Sequence, residues 1–150
     1  MTAAVFFGAS GLSAPSHADP GPFTGMAGNW HGSGTVALED GSTERIRCRA
    51  SYAVSGPRLN LSLTCASDAY KFNLSANVVA QGSAISGSWS ESSRGINGML
   101  QGRGGGGNFQ LAASAAGFNA NITLATRGNR QSVSIRADSQ FRGANISLSR

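Results

Sequence analysis

From Asp19 onward, nearly every apolar residue alternates with Ser, Thr, Asn or Arg. A side-chain period of two is the mark of a strand with one dry face and one wet face. No apolar stripe at the helical spacing of 3.6 residues appears at any length. The alternation predicts ten strands, at about 28–38, 43–54, 59–66, 70–80, 84–91, 95–102, 108–114, 117–126, 131–137 and 143–149. Between them stand turn formers: Asp40-Gly41, Ser55-Gly56-Pro57, Gln81-Gly82, Gly104 to Gly107, Gly117, Gly128-Asn129 and Asp138-Ser139. Links this short join antiparallel neighbours, because a parallel crossover needs about a dozen residues or more.

The expected fold is therefore all-β, an antiparallel meander of about ten strands. Left open, such a sheet would expose two long unpaired edges. Closure into a small β-barrel removes them, and a β-sandwich of two sheets is the alternative. The dry face carries Trp30, Val36, Leu38, Ile46, Tyr52, Leu61, Phe72, Leu74, Ile85, Trp89, Phe109, Leu111, Phe118, Ile122, Leu124, Val133, Ile135, Ile146 and Leu148. Gly32, Gly34, Gly87, Ala113 and Ala120 fall on the same face, and glycine inside a strand marks a bend or a close backbone approach. Charged residues make up only 13% of the chain, a composition that also suits disorder, but the regular placement of the apolar residues argues for a packed core.

The first residues read as a targeting segment. Ala3 to Leu12 is a mostly apolar run, followed by Ser13 to Ala18, in which Ser16 and Ala18 occupy the small-residue positions of a cleavage site. Residues 1–18 are thus expected to be a cleaved signal peptide, although no Lys or Arg precedes the apolar run, and 19–150 a single barrel domain. Export, to a bacterial periplasm or the medium, makes Cys48 and Cys65 a disulfide by default. A four-residue loop at Ser55 to Arg58 sets Val54 opposite Leu59, Tyr52 opposite Leu61, Ala50 opposite Leu63 and Cys48 opposite Cys65. One register thus pairs every apolar residue of this face and brings the sulfurs together, whereas a one-residue slip would send them to opposite faces. No Cys-x-x-Cys spacing or neighbouring His supports a redox role.

The wet face of the same hairpin carries Arg45, Arg47 and Arg49, about 6.6 Å apart along the strand. Asp68, Ala66 and Thr64 lie across from them, so only Arg45 has an acidic partner. The chain has a net charge of +5, and this stripe is either a solvated strand face or a contact for anionic envelope lipid or polysaccharide. Nucleic acid is the weakest partner, because no aromatics interleave on the wet face to stack on bases. A membrane-spanning barrel is disfavoured: its apolar face would set the disulfide against lipid, and Trp and Tyr total four, too few for two aromatic girdles.

Gly28-Asn29-Trp30 opens the first strand after the approach Pro20-Gly21-Pro22-Phe23, and in this it resembles the Gly-x-Trp signature of calycin (lipocalin-like) barrels. The start Trp30, Gly32, Gly34 and the later Ile85 to Glu91 also resemble small exported proteins of alphaproteobacteria. The calycin resemblance implies a binding barrel with its ligand inside, and a late Arg over the Trp, for which Arg142 and Arg150 are both candidates. The C-terminal helix of lipocalins has no counterpart here.

Catalytic chemistry finds little support. His31 is the sole His after residue 18, too few for a metal site or a triad. The acids lie mostly at turns and strand ends, with Glu91 the first to test. Gly102 to Gly107 matches G-x-G-x-x-G only formally, since a strand follows where a phosphate site needs a helix N-terminus. No G-x-S-x-G occurs. The expectation is a non-enzymatic barrel, with no catalytic residues, no metal and no cofactor, binding an apolar or lipid-like small molecule through Trp30, Tyr52, Phe72, Trp89, Phe109 and Phe118.

Overall fold

A computed structural model describes residues 21–150; the signal-peptide assignment of 1–18 lies outside the described residues. Ten strands follow one another: β1 (Gly28–Leu38), β2 (Thr43–Ser55), β3 (Arg58–Ala66), β4 (Lys71–Gln81), β5 (Ala84–Glu91), β6 (Ile96–Gly105), β7 (Asn108–Ala115), β8 (Phe118–Arg127), β9 (Arg130–Ala137) and β10 (Phe141–Ser149). Each pairs antiparallel with the next, and β10 pairs with β1, so the meander closes into a barrel and the sandwich is set aside. Trp30, Val36, Ile46, Tyr52, Ile85, Trp89, Phe109, Ile146 and Leu148 are buried inside it. The outer wall presents Ser, Thr, Asn and Arg, and Met99 is the one large hydrophobic exposed among the described residues. That is the reverse of a lipid-facing barrel, which turns its apolar band outward. Among the described residues no helix is long and apolar enough to cross a membrane.

Inward-facing glycines allow the sheet to coil so tightly. A Cβ at Gly87 would stand 1.9 Å from the Asn77 carbonyl oxygen and 2.7 Å from Val78 Cα, a collision with backbone that no side-chain movement relieves. Gly102 and Gly104 belong to the same class. The glycine run is therefore not one loop: β6 continues through Gly105, and only Gly106 and Gly107, both at positive φ, form the turn.

The β2–β3 hairpin has the expected register, with Val54, Tyr52, Ala50 and Cys48 opposite Leu59, Leu61, Leu63 and Cys65. The Cys48–Cys65 disulfide is formed and buried, which points to an oxidising, non-cytoplasmic compartment. One detail differs. The chain leaves the sheet after Ala66, so Asp68 sits in the loop and makes no ion pair with Arg45. Replacing both cysteines (Cys48→Ala with Cys65→Ala) is expected to lower the unfolding free energy by about 3 kcal/mol. Urea denaturation of the double variant against the oxidised parent measures this, and an unchanged midpoint would count against a stabilising role.

Candidate ligand cavity

The two ends of the barrel are built differently. At one end the connections β2–β3, β4–β5, β6–β7 and β8–β9 are all two-residue turns, and the segment before β1 crosses beneath them. That segment seals this end. Phe23 stacks on Phe109 with ring centroids 5.5 Å apart, and Met26 is buried beside Trp30, whose indole N–H donates to the Met26 carbonyl at 2.9 Å. Trp30 meets Tyr52 edge-on at 6.5 Å. Arg150, rather than Arg142, lies over the Trp30 ring, its guanidinium carbon 4.5 Å from the centroid, and also donates to the Ala27 carbonyl.

Polar groups in this plug are satisfied. The Tyr52 hydroxyl donates to Gln131 Oε1 at 2.6 Å, and Gln131 Nε2 donates to Thr126 Oγ1 at 2.8 Å. Burial pushes the Tyr52 hydroxyl well above its ordinary pKa, and the bond to Gln131 offsets this only in part, so the phenol stays neutral.

Toward the other end the barrel is hollow. A cavity of about 640 Å³ opens between the loops 39–42, 67–70, 92–95, 116–117 and 138–140. Volumes of this order are typical of small-molecule sites. Small side chains make the room: Ala76, Ala113 and Ala120 line it where larger dry-face residues would fill it. Leu38, Leu61, Leu74, Phe118 and Ile122 are only half-buried, and all five line the hollow, so their exposed surface faces its interior.

The six aromatic candidates divide between the two ends. Phe72, Trp89 and Phe118 line the cavity, whereas Trp30, Tyr52 and Phe109 pack in the sealed end outside it. Trp89 is well fixed: its indole N–H donates to the Met99 carbonyl at 3.1 Å, its ring lies 5.6 Å from Phe118, and the absence of a Cβ at Gly98 admits it. Two lining aromatics were not among those expected. Tyr70 stacks on Phe141 at 6.2 Å and meets Phe72 edge-on at 6.1 Å, forming an aromatic rim. Tyr70 shares the parity of Phe72 and was legible by alternation. Phe141 was not, because a register shift beside it breaks the parity of β10.

Glu91 also stands at the mouth, and it is buried. Its carboxylate accepts the backbone N–H groups of Asn73, Ser93 and Arg94 at 2.8, 3.0 and 2.8 Å, and the Arg94 guanidinium at 3.3 Å. Burial pushes this carboxyl up, but the hydrogen bonds outweigh it and hold the pKa below the usual carboxylate range. Arg94 in turn lies 4.6 Å over the Tyr70 ring and donates to the Lys71 carbonyl. The arrangement ties the β5–β6 loop to β4. A carboxylate committed to four donors is a structural clasp, not a group poised to exchange protons. His31 is exposed on the outer wall, and no group of three or more metal-ligating side chains occurs among the described residues.

Arg45, Arg47 and Arg49 are exposed on β2, opposite Thr35, Ser33 and His31 of β1, and none of the three is in an ion pair among the described residues.

No protein-family model matches the chain, and no curated protein is similar to it in sequence. Among solved structures the barrel is similar to the crystal structure of Rv2717c from M. tuberculosis. The identity is 14% and the TM-score 0.65, over 85% of this chain and 94% of that one. The likeness is one of fold.

Because the folded-state pKa of Glu91 is depressed, its contribution to stability is present above the unfolded pKa and is lost as pH falls through the folded value. Glu91→Gln is expected to cost about 1–3 kcal/mol at neutral pH and to flatten the acid limb of the stability curve below about pH 4.5. Thermal melts of both proteins across pH 3–7 test this, and parallel curves would exclude the clasp as the origin of that limb.

Proposed function

We propose that this protein is an exported, non-enzymatic binding barrel of calycin-like build, periplasmic or secreted, that holds an apolar or lipid-like small molecule in its open half. The observation that carries the reading is the cavity itself. Its wall is made of Leu, Ile, Ala and aromatic side chains, and its polar groups gather at the mouth. An apolar hollow that water fills poorly favours an apolar guest. Arg150 packed over Trp30 behind Gly28 supports the calycin likeness, and the disulfide supports export.

A second reading makes the protein an envelope-associated partner of anionic lipid or polysaccharide. The exposed arginines of β2, which have no acidic partner among the described residues, favour it.

The two tryptophans make the first reading measurable, since Trp89 lines the cavity and Trp30 lies in the sealed end. Titration with long-chain fatty acids and retinoids is expected to change tryptophan emission saturably. Trp30→Phe should keep that response and Trp89→Phe should lose it. Ala120→Phe, which fills the hollow, should weaken binding by about tenfold or more, equivalent to about 1.4 kcal/mol. No saturable response from any member of the panel would overturn the reading.

A further inference from the structure

The acidic side chains of the barrel gather at one end of its axis. All six described acidic residues, Glu39, Asp40, Glu44, Asp68, Glu91 and Asp138, lie in or beside the loops of the open end. Among the described residues the sealed end has none. Instead Arg58, Arg127 and Arg130 directly flank its two-residue turns, Arg103 sits on β6 beside the β4–β5 turn, and Arg150 follows β10. All five are exposed, and none is in an ion pair among the described residues. Arg127, Arg130 and Arg150 stand on the neighbouring strands β8, β9 and β10 or at their ends, and Arg103 on β6 and Arg58 on β3 carry the array around the closed sheet.

The geometry points to this sealed pole as a docking surface for an anionic phospholipid bilayer, with the cavity mouth directed away from it. The inference rests on the partner class of the second reading above but moves the contact from the β2 stripe to the pole. The turns are of two residues each and the segment 21–27 packs across them, so among the described residues the pole is blunt and its arginines can approach a plane together. A flat array of headgroups matches that shape. A nucleic acid strand would call for a groove or for exposed aromatics, and the pole's aromatics Phe23, Trp30, Tyr52 and Phe109 are all buried. With no large apolar side chain exposed there among the described residues, attachment is electrostatic, reversible and salt-sensitive. At the mouth Arg45, Lys71, Arg94, Arg136 and Arg142 nearly cancel the six acids, whereas the arginines of the pole face no acidic side chain among the described residues, so the pole and not the mouth is drawn to the surface.

Vesicle co-sedimentation tests this, with phosphatidylcholine alone against phosphatidylcholine containing phosphatidylglycerol. The expected result is binding to the mixed vesicles only, lost between 50 and 500 mM salt. Arg58→Ser, Arg103→Ser, Arg127→Ser and Arg130→Ser together should weaken it about a thousandfold. The same four positions changed to Lys should keep it, which separates loss of charge from loss of fold. Arg45→Ser, Arg47→Ser and Arg49→Ser together should leave most of the binding in place. If the stripe variant loses binding and the pole variant keeps it, the pole is wrong and the second reading survives. If the parent binds neither vesicle, the pole proposal falls, and so does the lipid form of the second reading. Equal binding to pure phosphatidylcholine, or tighter binding to heparin or DNA than to mixed vesicles, also overturns the proposal.

Discussion

At the seam of the barrel, β1 pairs with β10 from His31 opposite Ser149 to Leu38 opposite Phe141. Gly32 and Gly34 stand on the inner side of that seam. A Cβ at either would lie 1.9 to 2.0 Å from the carbonyl oxygens of Ser147 and Asn145. Only a residue without a side chain lets the two strands coil this closely. Without this pairing the sheet has two edges and its dry face is no longer enclosed. The enclosed hollow, the burial of the disulfide and the gathering of the acids at one end all presuppose closure. Glycine costs conformational entropy in a strand, and here that cost is offset by the continuous ring of pairing it permits.

Much of this was legible from residue order because each hairpin is local and its dry face alternates without interruption. Ten strands and the Cys48–Cys65 register follow from that alone. What alternation does not encode is depth along the axis. Trp30 and Trp89 obey the same rule, yet one belongs to a packed plug and the other to a cavity wall. The difference arises from Phe23 and Met26, which precede the first strand in a turn with no period to read, and from the alanines that keep the far end hollow. The Glu91 clasp escaped for a related reason, since its donors are mostly backbone N–H groups whose positions depend on the loop and not on residue identity.

The two ends thus divide the work of the fold. Large side chains and satisfied polar bonds stabilise the sealed half, as with Tyr52, Gln131 and Thr126. The open half gives up packing density for space, and its mouth is held instead by an aromatic rim and the Glu91–Arg94 pair. A barrel filled along its whole length would be more stable. The asymmetry of filling is therefore the feature of the core that packing alone does not account for, and the one on which the proposed binding role rests.

The position of the disulfide also bears on the order in which the chain is assembled. Both sulfurs point into the finished barrel and are shielded there from any oxidant or reductant. The hairpin that aligns them is short in sequence, whereas the seam joins opposite ends of the described chain. Local pairing forms early and distant pairing late, because a long loop must be closed before it is rewarded. Oxidation therefore belongs to the stage when β2 and β3 are paired but the cylinder is still open, and closure then locks the bond away from later exchange.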